Sequence, residues 1–250
     1  MRILSIDFDY FQNVSPKTLQ AYPDGVDVST GLSEYTWGSH YASNGNELSK
    51  VTIREEELQF LKDLLLKQDR NIPVVVMQSH KGIYDFVHYI ADEGDYLEIC
   101  NIDMHHDFIN DNDEPDCGNW CGFLAQEYKD FSMQWICNPV SKEMYSISDS
   151  SNSKVKQLLA EELPETIRAI GKNNAYDCIF DAVYLCRSDN WSVPHLDSYF
   201  TDLCQFLNEN FNAVSIQPGV EMPRFQYAEI AKAMQDSMRN FYRSESDREI

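Results

Sequence analysis

Two kinds of apolar spacing alternate along the chain. Short, nearly continuous apolar runs mark strands covered on both faces. They occur in RILSID (2–7), IPVVVMQSH (72–80), YLEICNID (96–103), MQWICNP (133–139) and CIFDAVYLCRS (178–188). Between them, leucines and aromatics recur at helical spacing, with charges on the opposite face, over 52–69, 81–94, 118–130, 153–172, 195–211 and 227–243. The 81–94 pattern stops at Gly94, and the 153–172 pattern breaks before Pro164. Residues 12–50 carry Pro16, Pro23, Gly25, Gly31, Gly38 and Gly45 among polar side chains, which predicts a long, loop-rich excursion. The tail SESDREI reads as frayed. Strands alternating with helices predict βαβ units, right-handed crossovers and a mainly parallel central sheet, in a single α/β domain over 1–250.

Composition narrows the partners. The formal net charge of −21 disfavours nucleic acid and anionic membrane surfaces, whose phosphates it repels. It suits a cationic substrate or divalent metal ions, although an acidic surface that merely keeps a protein in solution is the commoner reading. Seven cysteines, mostly inside apolar runs and odd in number, argue for reduced thiols over a disulfide framework. Cys117 and Cys121 are the only close pair, which is weak support for zinc. The opening MRILSIDFDYF enters a strand pattern at once, and no apolar run approaches the roughly 20 residues that span a bilayer. The expectation is a soluble, cytoplasmic protein.

Candidate chemistry lies at strand ends, where open parallel sheets build their sites. Asp7 and Asp9 close the first strand, His80 the second, and NIDMHHDF brings Asp103, His105, His106 and Asp107 to the third. Spacing of i, i+2 in an extended segment points side chains to one face. It groups Asp7 with Asp9, and Asp103 with His105 and Asp107, leaving His106 pointing away. Each has a plainer reading: a strand-end Asp caps a turn, and a lone His80 is often a hydrogen-bonded structural group. Two acids bracketing two histidines is the strongest signal. Four carboxylates and two imidazoles suit manganese, sometimes iron or zinc, and six ligands are enough for two ions. His88 falls in a helical apolar pattern and reads as core; His40 and His195 are open.

Asp103-Met104-His105-His106-Asp107 resembles the Asp-x-His-x-Asp motif of the ureohydrolases, the arginase and agmatinase superfamily. QSHKG resembles their Gly-Asp-His-Ser segment, GNWCG (118–122) their Gly-Asn-x-His-Gly, and LSIDFDYF their Ser-Phe-Asp-x-Asp. SHKGIYDFV, DFDYF and CRSDNWSVP are similar to a small divergent branch that includes the peptide arginases. The resemblance touches about two thirds of the chain through short motifs. In arginases the Asp-x-Asp segment comes last; here it comes first, which implies a permuted motif order within an arginase-like three-layer fold.

What the resemblance implies is hydrolysis of arginine residues in a precursor peptide to ornithine and urea, by a hydroxide bridging two manganese ions. His80, Asp103, Asp107 and Asp7 would hold one ion, and Asp103, His105, Asp7 and Asp9 the other. Asp103, His106 and Cys121 are the candidate catalytic residues. Cys121 stands where the family has a proton-shuttling histidine, so that role falls to His106, His40 or solvent. Asn119, Asp189 and Glu221 are the candidate substrate-binding residues, and the 12–50 excursion is the segment to shape a peptide cleft. Two other readings stand beside this one: a haloacid-dehalogenase-type phosphatase using Asp7 and Asp9, and a non-catalytic, metal-stabilised peptide-binding protein.

Overall fold

The computed structural model describes residues 1–23, 25–92, 94, 96–108, 113–146, 167–224 and 236. The strands are β1 (Arg2–Asp7), β2 (Gln12–Asn13), β3 (Thr52–Ile53), β4 (Pro73–Met77), β5 (Leu97–Asp103), β6 (Phe131–Cys137), β7 (Ile167–Ala169), β8 (Ala182–Cys186) and β9 (Ala213–Ile216). Seven of them form one all-parallel sheet in the order β7-β6-β5-β1-β8-β4-β9, and β2 and β3 form a separate antiparallel ribbon. The helices are α1 (Pro16–Leu19), α2 (Thr30–Leu48), α3 (Glu55–Leu65), α4 (Gly82–Ile90), α5 (Trp120–Glu127), α6 (Pro139–Ser146) and α7 (Asp197–Asn210).

Alternation along the strands divides the core into two layers. Leu4, Ile6, Val74, Val76, Val183 and Leu185 pack with Trp37 and Tyr41 of α2, Leu61 and Leu64 of α3, and Phe200 and Leu203 of α7. Ile3, Ile99, Ala182 and Tyr184 face the other way, against Ile83 and Val87 of α4 and Trp120 and Leu124 of α5. The result is a three-layer α/β fold, as the strand–helix alternation predicts. β5 is buried along its whole length, which fits its largely apolar run, and its polar members Glu98 and Asn101 are hydrogen-bonded, to Arg2 and Asp103. Among the described residues, no helix is long and apolar enough to cross a membrane.

Several elements differ from the sequence expectation. The 12–50 excursion holds a 19-residue helix, α2, interrupted by non-helical backbone at Asn44. Its buried face is only Ser33, Trp37, Tyr41 and Leu48, so an otherwise polar, glycine-bearing sequence hides a helix held by aromatic packing. Residues 167–169, expected as helix, form strand β7 against β6; residues 153–166 of that expected helix, and all but residue 236 of the 227–243 helix, lie outside the described residues. β9 was not anticipated. It is a short strand with alternately exposed residues, and among the described residues it pairs only with β4, at the edge of the sheet. His88 is not core: it is exposed on α4, and its Nε2 lies 2.9 Å from Glu127 Oε2 on α5.

Candidate metal centre

β1 lies between β5 and β8. The chain passes from β4, on one side of β1, to β5 on the other, so a crevice opens at the carboxyl ends of these strands. All six candidate ligands meet there. His80 Nδ1 lies 2.8 Å from Asp107 Oδ2, 3.1 Å from Asp103 Oδ2 and 3.4 Å from Asp7 Oδ2. His105 Nδ1 lies 2.9 Å from Asp9 Oδ2 and 3.8 Å from Asp103 Oδ1. The donor atoms fall into compact sets, among them His80–Asp103–Asp107 and Asp9–Asp103–His105, with Asp103 common to both. Cys186 joins Asp7 and His80 in a third set, with its Sγ 3.4 Å from Asp7 Oδ2.

Local backbone structure places these groups. Asp7 ends β1, and its Oδ1 accepts the Asp9 N–H at 3.0 Å, capping a single 3-10 turn over Phe8–Phe11. The capping role and the site role thus coexist on one carboxylate: Oδ1 caps and Oδ2 faces His80. Asp9 Oδ1 accepts the Met104 N–H at 3.1 Å, which ties the end of β1 to the end of β5. Beyond Asp103 the chain turns. Asp107 has φ of +51°, a left-handed conformation that an aspartate adopts at some strain. The Trp120 indole holds it there, donating to Oδ2 at 2.6 Å. His80 sits in the turn after β4, where the Tyr184 hydroxyl donates to the Ser79 carbonyl at 2.6 Å. Ser5 Oγ lies 2.7 Å from His80 Nε2, which leaves Nδ1 aimed into the cluster.

Electrostatics explain why such a cluster is rare as packing. Asp7, Asp9, Asp103 and Asp107 are all 0–3% exposed. Burial, reinforced by Asp7 and Asp103, drives the Asp9 carboxyl well above its ordinary range. Burial and Asp103 do the same to Asp107. Burial also works against the Asp103 carboxylate, but the hydrogen bond and charge of His80, with His105, hold it down at about 2. Burial opposes a charge on His80, and the surrounding carboxylates outweigh it, so its pKa is raised. His105 is lowered by burial. The protein alone must therefore keep protons in this pocket to offset acid–acid repulsion. Among the described residues, His105 Nε2 is buried without a hydrogen-bond partner, while Asp9 Oδ2 and His80 Nδ1 are buried against the other ionisable groups of the cluster. Oxygen and imidazole donors converging around a shared carboxylate fit hard divalent cations, and the Ser5 contact is the kind of outer support that fixes a ligating histidine.

The other candidates lie elsewhere. His106 is buried away from the ligands, with Nδ1 accepting the Phe108 N–H at 3.0 Å and its ring edge-on to Trp135. Burial lowers its pKa to about 4. Cys121 is fully buried and its Sγ packs 3.5 Å from Met133 Sδ, so burial pushes the thiol up and removes it from proton shuttling. Asn119 is engaged with its own loop, accepting the Asp116 N–H at 2.6 Å and donating to the Glu114 carbonyl. Asp189 is not available to substrate: it is locked to Arg187 at 2.5 and 3.1 Å, and its carbonyl takes Trp37, Ser33 and Arg224. Glu221 bonds through its carbonyl to Thr201 of α7. His40 meets the Ala21 carbonyl, and both nitrogens of His195 are engaged, by Tyr41 and the Val51 carbonyl. Sequence reasoning missed Ser5, a polar residue inside a strand run, and Trp191, whose ring meets His105 at 4.7 Å. No local pattern marks either.

No protein-family model, curated protein or solved structure matches the chain.

Proposed function

We propose that this chain is a manganese-dependent hydrolase that removes urea from arginine residues in a precursor peptide and leaves ornithine. The observation that carries the reading is the sharing of Asp103 between two donor sets, one with His80 and Asp107, reached through Oδ2, and one with Asp9 and His105, reached through Oδ1. Asp7, His80, Asp103 and Asp107 would hold one manganese ion, and Asp9, Asp103 and His105, with Asp7, the other. Two such ions supply Lewis acidity and bring water ionisation towards neutral pH.

The chain's own residues do the rest. Ser5 keeps His80 oriented, and Asn101, donating to Asp103 Oδ2 at 3.1 Å, steadies the shared carboxylate. The net charge of −21 favours a cationic side chain over a phosphate substrate. With Cys121 and His106 packed into the interior, solvent supplies the proton that the leaving amine takes up. A dehalogenase-type phosphatase needs a free oxygen on Asp7. Here Oδ1 accepts the Asp9 N–H and Oδ2 faces His80 and Cys186. Free thiols on all seven cysteines go with our assignment to the cytoplasm.

Metal content by mass spectrometry, on protein purified with manganese, tests the reading together with urea release from arginine-containing peptides. About two manganese ions per chain, lost in Asp103→Ala along with urea release, is the expected result. Magnesium alone, or no tightly held metal, overturns it. Manganese without urea release from any arginine peptide moves the assignment to a metal-stabilised binding protein.

A further inference from the structure

His80 faces two groups of donors and has one nitrogen to offer them. Ser5 Oγ lies 2.7 Å from Nε2, so only Nδ1, aimed into the cluster, can take a metal ion. Asp107 and Asp103 stand 2.8 and 3.1 Å from it and form the first group. Asp7 and Cys186 complete a second compact group with the same nitrogen. β1 separates the two: Asp103 ends β5 on one flank, and Cys186 ends β8 on the other, level with Asp7 in the pairing of β1 with β8. Cys186 is fully buried, in the same layer as Tyr184, whose ring stacks on that of His80 at 6.0 Å. Its Sγ lies 3.4 Å from Asp7 Oδ2, so the thiol donates a weak hydrogen bond there. The backbone fixes the sulfur in place. β8 is paired with β1 and β4 up to Cys186, and two residues later Ser188 turns the chain with φ of +55°. Of the seven cysteines, Cys186 alone joins a group of side chains able to hold a metal among the described residues.

We propose that Cys186 is a metal ligand, which with Asp7 and His80 gives the centre a second binding mode for thiophilic divalent cations such as zinc. The assignment rests on the reading of the cluster as a metal centre and adds the class of ion that its sulfur selects. Asp103 and Asp107 set hard oxygens beside the imidazole, which suits manganese. A thiolate is soft. One sulfur, one nitrogen and one oxygen make the kind of mixed set that holds zinc, with a fourth position left open. Ligation replaces the thiol proton, which leaves to solvent as the metal–sulfur bond forms. Both modes draw on His80 Nδ1 and on Asp7, so they exclude each other. Zinc in the sulfur mode therefore displaces manganese from the His80 position and stops a reaction that needs both manganese ions.

The test uses the full chain and cobalt(II), which adopts zinc-like geometry and gives an intense near-ultraviolet charge-transfer band when bound to a thiolate. The chain is stripped with chelator, titrated with cobalt and followed by absorption, and its zinc and manganese affinities are measured by competition with a metal-sensitive dye. Wild type is expected to show the sulfur band with the first equivalent of cobalt. Cys186→Ser, close in size and still able to bond Asp7, is expected to lose it. The same change should lower the preference for zinc over manganese about tenfold or more, since a lost ligand costs at least what a lost outer support does. The wild-type band decides the matter even where the variant fails to fold. Three results overturn the ligand: no sulfur band in wild type, a band that persists in Cys186→Ser, or a folded Cys186→Ser with its zinc-over-manganese preference unchanged. A sulfur band in a chain that, loaded with manganese, releases no urea from arginine peptides keeps the ligand and sinks the hydrolase. Urea release by a chain without the band does the opposite.

Discussion

Asp9→Asn changes one charge at the centre of the cluster and almost nothing else. The side chain is fully buried, its Oδ1 accepts the Met104 N–H, and its Oδ2 lies 2.9 Å from His105 Nδ1. Asparagine keeps the shape and the Met104 contact while removing the repulsion from Asp7 and Asp103 that raises this carboxyl. Each pKa unit by which a carboxyl is raised costs about 1.4 kcal/mol, so with a chelator present Asp9→Asn should be more stable than wild type at neutral pH by at least about that amount. Added manganese should reverse the order. A ligand that binds only the folded state stabilises it by about 2.7 kcal/mol at a hundredfold excess over Kd, and a variant short of one carboxylate gains less. Urea denaturation followed by far-UV circular dichroism, with chelator and with manganese, measures all four stabilities. A variant that is less stable than wild type without metal, and that gains the same increment from manganese, would refute the placement of Asp9 as a ligand held in an electrostatically unfavourable pocket.

Three more outcomes follow from the same geometry. Ser5→Ala removes the partner of His80 Nε2 and should weaken manganese binding about tenfold or more with little loss of stability, measured by competition with a metal-sensitive dye; unchanged affinity removes Ser5 from the site. Gly82→Ala would set a Cβ 2.5 Å from the Tyr184 hydroxyl that holds the Ser79 carbonyl, so it should cost about 1–3 kcal/mol and lower manganese affinity as His80 shifts; a thermal melt like wild type counts against this packing. Burial raises the Asp27 carboxyl from 3.8 to about 7, against the pull of the Asn190 amide. A raised acid binds its proton more tightly in the folded chain, so its contribution is whole below about pH 4 and is lost as pH climbs through 7. In the metal-free protein, the stability gained by Asp27→Asn should therefore grow by about 2 kcal/mol between pH 5 and pH 8, and a pH-independent difference refutes it.

β1 and β5 are legible because both are buried on both faces and end in a charged residue, Asp7 and Asp103. Charge at the end of an apolar run stands out in a sequence. β9 has four residues with alternating exposure and nothing at its end, so it looks like any linker. α2 was hidden for a different reason: Trp37 is fixed by donating to the Asp189 carbonyl, 152 residues away. Asp27 and Asn190 are 163 residues apart and meet only because both segments fold over the same strand ends. Motif position points to Asp189 and Cys121, and what decides them is tertiary: two arginines claim one, and a methionine in the core claims the other.

The central place of β1 has a consequence for how the chain folds. Ile3 pairs with Ile99 on one side and with Ala182 on the other. At synthesis rates of about 5–20 residues per second, the interval between β1 and its second neighbour lasts on the order of 10–40 s. Through that interval one edge of an apolar strand, with Asp7 and Asp9 behind it, waits without its partner. Contacts this distant in sequence close slowly, so refolding should be slow and sensitive to protein concentration, with chaperones engaging the nascent chain until β8 arrives.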